Sequence, residues 1–467
     1  MRLLVRLVLL VLVLGTVTAG VLYYRAGSEP GPTLEIRSPE RVIGQRGSLE
    51  LLVGAPGGQL TRLDVTLDQN GRSLPVFALE QAADGVGEVR QESTDQMWII
   101  RPVGKQAQPE LVAGTAQLVV TAARPVFFGL REAVSTVTRD LEVRLDPPRV
   151  GVVSLHHYVN HGGAEFVVYR ATPEGVATGV RVGERSYPGF PGSAVGLTDP
   201  ALQVAFFALA YDEDLTTPMS VFARDEAGNE ASTPLDHRPF AKPFARSRIG
   251  IDLRFIERVV PAIAANTADL DVDSTTPEGL LDGFLRINND LRRRNNETIA
   301  AMAARTRPEM LWQEAFSQLG NTQVESRFAD HRTYLFEGRE VDQQVHLGFD
   351  LASVAQAPVV AANRGVVLFA DYLGIYGNTV ILDHGLGVQS LYSHLSTITA
   401  RTGDMVDKGA ELGRTGVTGL AGGDHLHFTM LVGGVAVNPV EWWDRKWMED
   451  RVFRKVREAG GAIGSTR

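Results

Sequence analysis

Three short stretches of this sequence carry imidazole and carboxylate groups at spacings that suit metal chemistry. They contain His346 with Asp350, then His394, and finally His425 with His427. Because alternate side chains of a β-strand point to the same face, the two members of each pair would share a face. The residues between them are mostly apolar and would face a core. The sequence therefore predicts a sheet with one polar face that could hold a divalent cation.

The residue types favour zinc-dependent hydrolysis. A hydrolytic zinc site takes three nitrogen or oxygen ligands at about 2.0–2.2 Å and leaves a fourth position for water. Four histidines and one aspartate supply three such ligands and leave two groups for proton transfer. The chain has no cysteine, which excludes thiolate ligands and disulfides. Imidazole and carboxylate must therefore hold any metal here.

The order of these motifs resembles the LytM/lysostaphin-type zinc endopeptidases, the M23 peptidases, which cut peptide cross-links in bacterial cell walls. The resemblance rests on four features in sequence order, and it covers about residues 320 to 445. These features are the His-x3-Asp pair, a Tyr-Ser-His-Leu segment, a Gly-Val-Thr-Gly run at residues 416–419, and the final His-x-His. A single His-x-His would be weak, but the combination is specific.

The resemblance implies roles for the five residues and a substrate. It implies His346, Asp350 and His427 as Zn²⁺ ligands, with His394 and His425 as the catalytic pair. The substrate would be peptidoglycan stem or bridge peptides, either a D-alanyl to diaminopimelate cross-link or a glycine bridge. The chain retains all five residues. Because inactive relatives typically lose ligands, this retention favours an active enzyme.

Two other functions remain open. The first is a catalytically silent, wall-binding regulator whose inactive peptidase module activates other cell-wall hydrolases. The second is a structural tether whose β modules hold protein partners. Two departures from the family pattern, Asp424 before the His-x-His and Thr429 after it, are predicted to touch no ligand. We therefore expect them to influence substrate preference.

The N-terminal sequence predicts that the protein is located at a membrane. Arg2 and Arg6 precede an uncharged run of 18 residues from Leu7 to Tyr24. As a helix this run spans about 27 Å, close to the ~30 Å hydrocarbon core of a bilayer. An uncleaved signal anchor is favoured over a signal peptide cleaved after Ala19, because the run exceeds a typical signal core. We expect a single-pass protein of the inner (cytoplasmic) membrane with a periplasmic catalytic domain.

Composition and patterning predict several domains and a mainly β fold with a helical segment. The length of 467 residues exceeds one core. The net charge of −9 provides no basic surface for nucleic acid. The predicted divisions are a signal anchor and linker (1–32), a β-sandwich-like module (33–145), an immunoglobulin-like β module (146–242), a helical segment (243–319), an antiparallel β-sheet zinc peptidase domain (320–450), and a charged, Gly-rich tail that frays (451–467).

Local signals predict particular elements within these divisions. Gln69-Asn70-Gly71 between alternating strands indicates a hairpin. Within the helical segment, one helix is predicted to start either at Thr275, in a capping box with Glu278, or at Thr276, with Pro277 in the first turn. Because this segment directly precedes the peptidase domain, a further hypothesis is that it restrains access to the zinc site.

The other histidines are predicted to lie outside the site. His384 stands in an Asp-His-Gly-Leu-Gly hairpin turn, and His331 is interpreted as a loop residue. A cluster of His156, His157 and His161 has no carboxylate spaced with it, so a second metal site there is not favoured.

Overall fold

The computed structural model describes residues 2–56, 59–82 and 85–461, and it is mainly β. It divides into two units, Met1–Pro148 with Arg224–Glu230, and Arg149–Ala223 with Ala231–Arg467. The mainly β architecture with one apolar N-terminal helix confirms that part of the predicted fold class. The immunoglobulin-like character of the β modules and the predicted domain boundaries stay predictions.

The N-terminal helix, α1, spans Arg2–Ala26. Between Leu7 and Tyr24 its large apolar side chains are 46–77% exposed. The stretch Arg6–Ala26 has a mean hydropathy of 2.3 and is long and apolar enough to cross a membrane, a test that a signal sequence near the N-terminus also passes. An exposed apolar surface of this extent is unfavourable in water and is stabilised by burial, for example in a bilayer.

The first unit contains two β-sheets around one core. The strands are β1 (Thr33–Ser38), β2 (Val42–Ile43), β3 (Gly47–Gly54), β4 (Arg62–Gln69), β5 (Arg72–Ala78), β6 (Glu88–Gln91), β7 (Gln96–Val103), β8 (Gly114–Val126) and β9 (Arg131–Val143), with a 3₁₀ turn at Leu79–Gln81. Their orders are β1-β3-β7-β6 and β2-β9-β8-β4-β5. The predicted hairpin joins β4 to β5, with φ of 52° at Asn70 and 78° at Gly71. This prediction is confirmed.

The second unit begins with three small sheets. Its first strands are β10 (Arg149–Val152), β11 (His157–Asn160), β12 (Gly163–Thr172), β13 (Ala177–Val182), β14 (Arg185–Pro188), β15 (Phe190–Pro191), β16 (Leu202–Leu209), β17 (Met219–Arg224), β18 (Glu230–Pro234) and β19 (His237–Phe240), with a 3₁₀ turn at Gly192–Val195. They pair as β10-β12-β16-β15, β14-β13-β17-β18 and β11-β19. The apolar runs of β12 and β16 are buried, as continuous hydrophobic strands should be.

The helical segment follows strand β20 (Arg246–Ile251). It contains α2 (Leu253–Ala265), α3 (Pro277–Arg286), a π-helical turn (Ile287–Leu291), α4 (Arg292–Ala301) and a 3₁₀ turn (Met302–Arg305). Thr276 caps α3 by accepting a hydrogen bond from the backbone N–H of Gly279 at 3.1 Å, with Pro277 in the first turn. Of the two predicted helix starts, the one at Thr276 is therefore correct.

This helical segment packs on the eight-stranded sheet that contains Asp350, His394 and His427. An apolar stripe on α3 and the π-helical turn is buried in one cluster with residues of that sheet. The stripe consists of Leu280, Phe284, Ile287 and Leu291, and the sheet residues are Ile381, Leu391 and Leu431. Burial of each such side chain is worth roughly 1.5–3 kcal/mol. Removing the segment would therefore expose one face of the sheet and destabilise the domain.

The sheet on which the helical segment packs is antiparallel and has eight strands. The strands of this part of the chain are β21 (Gln323–Ser326), β22 (Asp330–Phe336), β23 (Arg339–His346), β24 (Phe349–Ala352), β25 (Pro358–Val360), β26 (Gly365–Tyr372), β27 (Asn378–Asp383), β28 (Val388–Leu395), β29 (Thr397–Ile398), β30 (Met405–Val406), β31 (Glu411–Arg414), β32 (Leu426–Val432) and β33 (Val435–Val437), with a 3₁₀ turn at Gly374–Tyr376. The order is β21-β24-β32-β28-β27-β26-β30, and β33 pairs with β32. Smaller sheets, β20-β22-β23 and β25-β31-β29, flank it.

The C-terminal segment is helical and packed, so the prediction of a fraying tail from residue 451 is wrong for the residues that are described. The elements are α5 (Pro439–Trp443), α6 (Arg445–Met448), a π-helical turn (Glu449–Phe453) and α7 (Arg454–Glu458). Val452 and Val456 are fully buried, and the buried Lys455 ammonium donates to the Glu165 carboxylate at 2.9 Å. Charged and apolar residues alternate in this segment at helical spacing, and this pattern was not identified from the sequence as an amphipathic helix. Residues 462–467 of the predicted tail lie outside the described residues.

A buried carboxyl group, Glu441 in α5, gives this unit a pH-dependent stability. It accepts hydrogen bonds from the Ala164 backbone N–H at 2.7 Å and the Asn160 side-chain amide at 2.6 Å. Burial raises the pKa of Glu441 from 4.5 to about 7, although these hydrogen bonds oppose the shift. Between these values the folded state binds more protons than the unfolded state, so stability falls as the pH rises from about 4.5 to 7.

Glu441→Gln should remove this loss of stability. At about 1.4 kcal/mol per unit of pKa, the Glu441 carboxyl lowers the free energy of unfolding by up to about 3 kcal/mol across that window. Urea unfolding of both proteins at pH 5 and pH 8 measures the difference, with the exposed Glu325→Gln as control. An identical pH dependence in wild type and Glu441→Gln would contradict this explanation.

Candidate metal centre

The structure brings the five predicted site residues to one pocket. His346 is the last residue of β23, and Asp350 lies in β24 after a two-residue break, so the expectation of one continuous strand for this pair is wrong. His394 lies in β28 and His427 in β32, with His425 directly before β32. In the antiparallel register Asp350 stands opposite His427, which accounts for their proximity.

Three potential ligand atoms meet at hydrogen-bond distances. The Nε2 atom of His346 lies 2.9 Å from Oδ1 of Asp350 and 2.9 Å from Nδ1 of His427. The Nδ1 atom of His427 lies 3.0 Å from the same Asp350 oxygen. The three residues form a group that could hold a metal ion.

Hydrogen bonds on the far side of each ring determine which nitrogen faces the group. Nδ1 of His346 lies 3.1 Å from the Arg327 carbonyl, which can only accept, so Nδ1 carries the proton. Nε2 of His427 lies 3.0 Å from the Thr429 hydroxyl, and a proton on this nitrogen leaves Nδ1 free as an acceptor. With these tautomers, the nitrogen of each ring that faces Asp350 can offer a lone pair to a cation.

This donor set fits a divalent cation. Two imidazole lone pairs and a carboxylate oxygen at about 3 Å repel one another unless a positive charge stands between them. A tetrahedral zinc site with bonds of about 2.0–2.2 Å separates its ligand atoms by about 3.3–3.6 Å. The three side chains would reach that spacing by moving apart by only about half an ångström. Two imidazoles and one carboxylate are ligands that zinc accepts.

The backbone at Gly348 keeps room for the His427 ring. A Cβ atom at this position would lie 2.6 Å from Cε1 of His427. Because real Cβ atoms do not approach a ring so closely, any larger residue would push His427 away from Asp350. Glycine is therefore required in the break between β23 and β24.

The charges around Asp350 keep it ionised. Burial alone would raise the pKa of Asp350, but protons on the neighbouring imidazoles, chiefly on His346, hold this pKa well below its usual range, and a cation in place of those protons would act in the same direction. Burial lowers the pKa of His427 to about 4, so its ring is neutral at neutral pH. A carboxylate and a neutral imidazole are the protonation states that a metal ion needs.

Arg332 holds the second oxygen of Asp350. Its Nη2 donates to Oδ2 at 2.8 Å, which leaves Oδ1 for His346 and His427. The Arg332 side chain is only 19% exposed, so water screens this pair weakly. Sequence reasoning missed Arg332, since it lies in β22 of the neighbouring sheet and has no fixed spacing to the histidines.

Arg332→Ala should weaken zinc binding by about 10- to 100-fold, because partners that orient a metal ligand typically contribute that much to affinity. Competition with a chromogenic chelator measures the affinity of the purified protein. Arg339→Ala, at an exposed position of β23, is the matched control and should leave it unchanged. Unaltered affinity in Arg332→Ala would show that Asp350 does not need this partner.

His394 and His425 present their Nε2 atoms to the same pocket. His394 Nδ1 donates to the Thr418 carbonyl at 2.8 Å, and His425 Nδ1 donates to the Gly423 carbonyl at 2.8 Å. The two ring centroids are 4.9 Å apart. His394 has a φ of 62°, a left-handed conformation that costs a non-glycine residue energy and that recurs at functional sites.

The pocket has further walls that sequence reasoning did not identify. It is also lined by Tyr376 and by Arg292 and Asn296 of α4. The Tyr376 hydroxyl donates to Oδ1 of Asn296 at 2.8 Å. The helical segment therefore borders the candidate site as well as packing on the sheet. Its predicted role in restraining access stays a prediction.

The remaining histidines lie outside this group. His384 is fully buried between the Arg364 carbonyl at 2.7 Å and the Ser390 hydroxyl at 2.7 Å. His331 lies in β22, so its interpretation as a loop residue is wrong. His157 contacts the Ser154 hydroxyl at 2.9 Å, and burial lowers its pKa to about 3. Within the described part of the chain, the histidines at 156–161 are not in a group of three ligand atoms within 4.8 Å of one another.

Comparison with known protein families matches residues 344–439 to peptidase family M23. These residues are an M23 peptidase domain. The domain contains all five site residues, and the match confirms the resemblance drawn from the sequence motifs.

Curated relatives align with about a fifth of this chain. The chain is 40% identical over 97 residues to the DD-carboxypeptidase/endopeptidase Mpg of Neisseria meningitidis serogroup B, covering 21% of this chain and 22% of that protein. It is 35% identical over 96 residues to the peptidoglycan DD-endopeptidase ShyA of Vibrio cholerae, with 21% and 22% covered. The chain thus aligns with about a fifth of the length of these relatives.

Comparison with solved structures also matches the catalytic domain of the antimicrobial peptidase lysostaphin from Staphylococcus simulans. It shares 23% identity, covers 31% of this chain and 96% of that domain, and has a TM-score of 0.21.

One departure from the family pattern bears directly on the M23 site. Thr429 was predicted to touch no ligand, but its hydroxyl lies 3.0 Å from Nε2 of His427, so that prediction is wrong. It also donates to the Leu347 carbonyl at 2.9 Å, which orients its oxygen toward the ring. Asp424 contacts the Thr415 hydroxyl at 2.5 Å and the Gln356 backbone N–H at 3.1 Å, and so stabilises the loop before β32.

Proposed function

We propose that this protein is a zinc-dependent endopeptidase that hydrolyses peptide cross-links of bacterial peptidoglycan. The observation that carries the proposal is the meeting of His346, Asp350 and His427 ligand atoms within 3.0 Å inside an M23 domain. The relatives named above as DD-endopeptidases support the substrate class.

In this proposal the ion is held by Nε2 of His346, Oδ1 of Asp350 and Nδ1 of His427. When bound, zinc supplies a Lewis acid that polarises the scissile carbonyl and makes water more acidic. Two neutral imidazoles and one carboxylate leave the site with a net positive charge. The chain's own contribution is to hold these atoms in place through the Arg327 carbonyl, Thr429 and Arg332.

His394 and His425 handle protons in this proposal. Each has one ring nitrogen tied to a backbone carbonyl, so its other nitrogen stays directed into the pocket. From there the pair can accept a proton from the attacking water and donate a hydrogen bond to the oxygen that becomes negatively charged. The pocket encloses about 100 Å³, room for only a few water-sized groups, so a peptide must lie across its mouth.

The proposed location of the protein is the inner membrane, with the peptidase domain in the periplasm. Helix α1 would be the single membrane span, and the positive charge of Arg2 and Arg6 would keep the N-terminus in the cytoplasm. The β modules would then serve as spacers or as docking sites for protein partners. The peptidoglycan substrate lies on the same side of that membrane, which agrees with this orientation.

Digestion of purified peptidoglycan tests the function. Full-length protein in detergent should release cross-link cleavage products that mass spectrometry identifies. A chelator should abolish their release, and added zinc should restore it. Protein that binds zinc and peptidoglycan without cleaving it, but increases the activity of another wall hydrolase, would favour the silent regulator instead.

A further inference from the structure

The hairpin that joins β8 to β9 ends in an exposed apolar tip. The tip, residues 127–130, reads Phe-Phe-Gly-Leu. Phe128 is 98% exposed and Leu130 71% exposed, and Val134 on the adjoining strand is 51% exposed. Apolar side chains this exposed at a loop tip indicate a surface that binds another apolar phase.

The tip lies against the end of helix α1. The rings of Phe127 and Tyr23 meet edge to face with centroids 5.8 Å apart. Ala26, the last residue of α1, is buried with Val126 and Ala133 of the hairpin. Contacts on both sides of the tip therefore join the hairpin to the point where the helix ends.

Two arginines strengthen this junction. Arg131 donates from Nη1 to the Tyr23 carbonyl at 2.8 Å, and its guanidinium lies 4.9 Å from the centre of the Tyr23 ring. Arg124 pairs with Glu29 at 3.1 Å, just beyond the helix. Arginine side chains with polar partners, next to exposed apolar side chains at the tip, are the arrangement expected where a protein meets a membrane surface.

The length of α1 sets the depth of the tip. The 18 uncharged residues from Leu7 to Tyr24 span about 27 Å as a helix, so a bilayer core of ~30 Å that begins at Leu7 ends near Tyr23 and Tyr24. Phe127 is in contact with Tyr23 and must then lie at the same level. Phe128 and Leu130 extend from that level into whatever surrounds the helix end.

The backbone of the tip favours a functional role for its aromatic residues. Phe127 and Phe128 have φ angles of 49° and 57°. Turns with positive φ usually place Gly, Asn or Asp at such positions, and a bulky residue there is strained. Two phenylalanines in this conformation indicate that the side chains are selected for contact and not for the turn.

We propose that the Phe127–Leu130 tip inserts into the outer-leaflet interface of the bilayer and forms a second membrane contact beside α1. The inference rests on the proposed anchoring of α1. With two attachment points, the β8–β9 end of the first unit is held at the lipid surface, and the tilt of that unit is limited. The ligand is a lipid surface, recognised by burial of Phe128 and Leu130.

Single-cysteine labelling tests this contact, because the chain contains no cysteine of its own. Full-length protein with Phe128→Cys is labelled with the environment-sensitive dye NBD. It is reconstituted into vesicles of equal parts phosphatidylethanolamine and phosphatidylglycerol, with or without lipids that carry a nitroxide quencher near the headgroup. We expect a blue-shifted emission that the nitroxide lipids quench.

Two matched positions complete the experiment. Thr115→Cys is exposed on the same strand, β8, about 37 Å from Val126 at about 3.4 Å per residue, and its label should stay in water. Leu14→Cys in α1 should report the hydrocarbon core, which tests the proposed anchoring separately.

The outcomes are distinct. A blue-shifted label at Leu14→Cys with an unquenched, water-like label at Phe128→Cys overturns the tip contact and leaves the anchor intact. Water-like labels at both positions overturn the anchoring and, with it, this inference. A blue-shifted label at Phe128→Cys that nitroxide lipids do not quench would mean contact with protein, such as a second copy, and would also overturn it.

Discussion

Replacing His346 or His427 with alanine is expected to abolish peptidoglycan hydrolysis and to strip the protein of bound zinc. Each residue directs one ring nitrogen at Oδ1 of Asp350, and either substitution leaves two protein ligands where a hydrolytic site needs three. Metal catalysis lowers the activation barrier by several kilocalories per mole, so loss of the metal should reduce the rate by more than about 1,000-fold. Metal analysis of the purified proteins and product release measure the two effects.

A matched control separates loss of metal from general damage. His156→Ala changes an exposed histidine in the same unit and should keep both zinc content and activity. Circular dichroism should confirm that His346→Ala and His427→Ala are folded. If either variant retained a full equivalent of zinc, that residue would not be a ligand, and the assignment in the proposed function would be wrong.

His394→Ala and His425→Ala should show the opposite combination, normal zinc content with most activity lost. Their Nε2 atoms face the pocket, but the group of three ligand atoms is complete without them. General acid–base groups typically contribute about 100- to 10,000-fold to a rate, so a loss in that range is expected. Turnover at saturating peptidoglycan, with zinc content measured on the same sample, provides the comparison.

The result for His425→Ala is harder to interpret than the result for His394→Ala. Its Nε2 lies 3.4 Å from Oδ1 of Asp350, so its removal could also disturb the carboxylate. A fall in zinc affinity together with activity in His425→Ala, but not in His394→Ala, would make His425 a positioning residue. Wild-type turnover in His394→Ala would remove that residue from the mechanism.

The sequence predicted the membership of the pocket well because strand alternation is a local rule. Residues two apart along an extended chain share a face wherever the strand lies, so His425, directly before β32, and His427 within it could be grouped from spacing alone. The same rule was less successful for His346 and Asp350, because a break at Leu347 and Gly348 divides them between two sheets. They still meet, since Asp350 pairs with His427 across the sheet.

Errors arose where a residue's environment comes from a distant segment. Thr429 touches His427, and Arg332 holds Asp350 from another sheet. The charged residues after 451 pack against β12 through the buried pair of Lys455 and Glu165. Nothing in the local pattern distinguishes such partners from solvated charges, because the second half of each pair is remote in sequence.

The sequence alone predicted the apolar N-terminal helix, the mainly β fold, the family of the C-terminal domain and the five residues that share its pocket. Only the tertiary structure decided which ring nitrogens face one another, which residues orient them, and that the helical segment borders the pocket. The physical reason is that residue type and periodicity act over a few residues. The direction of a lone pair or the pairing of a buried charge depends on groups that folding brings from far along the chain.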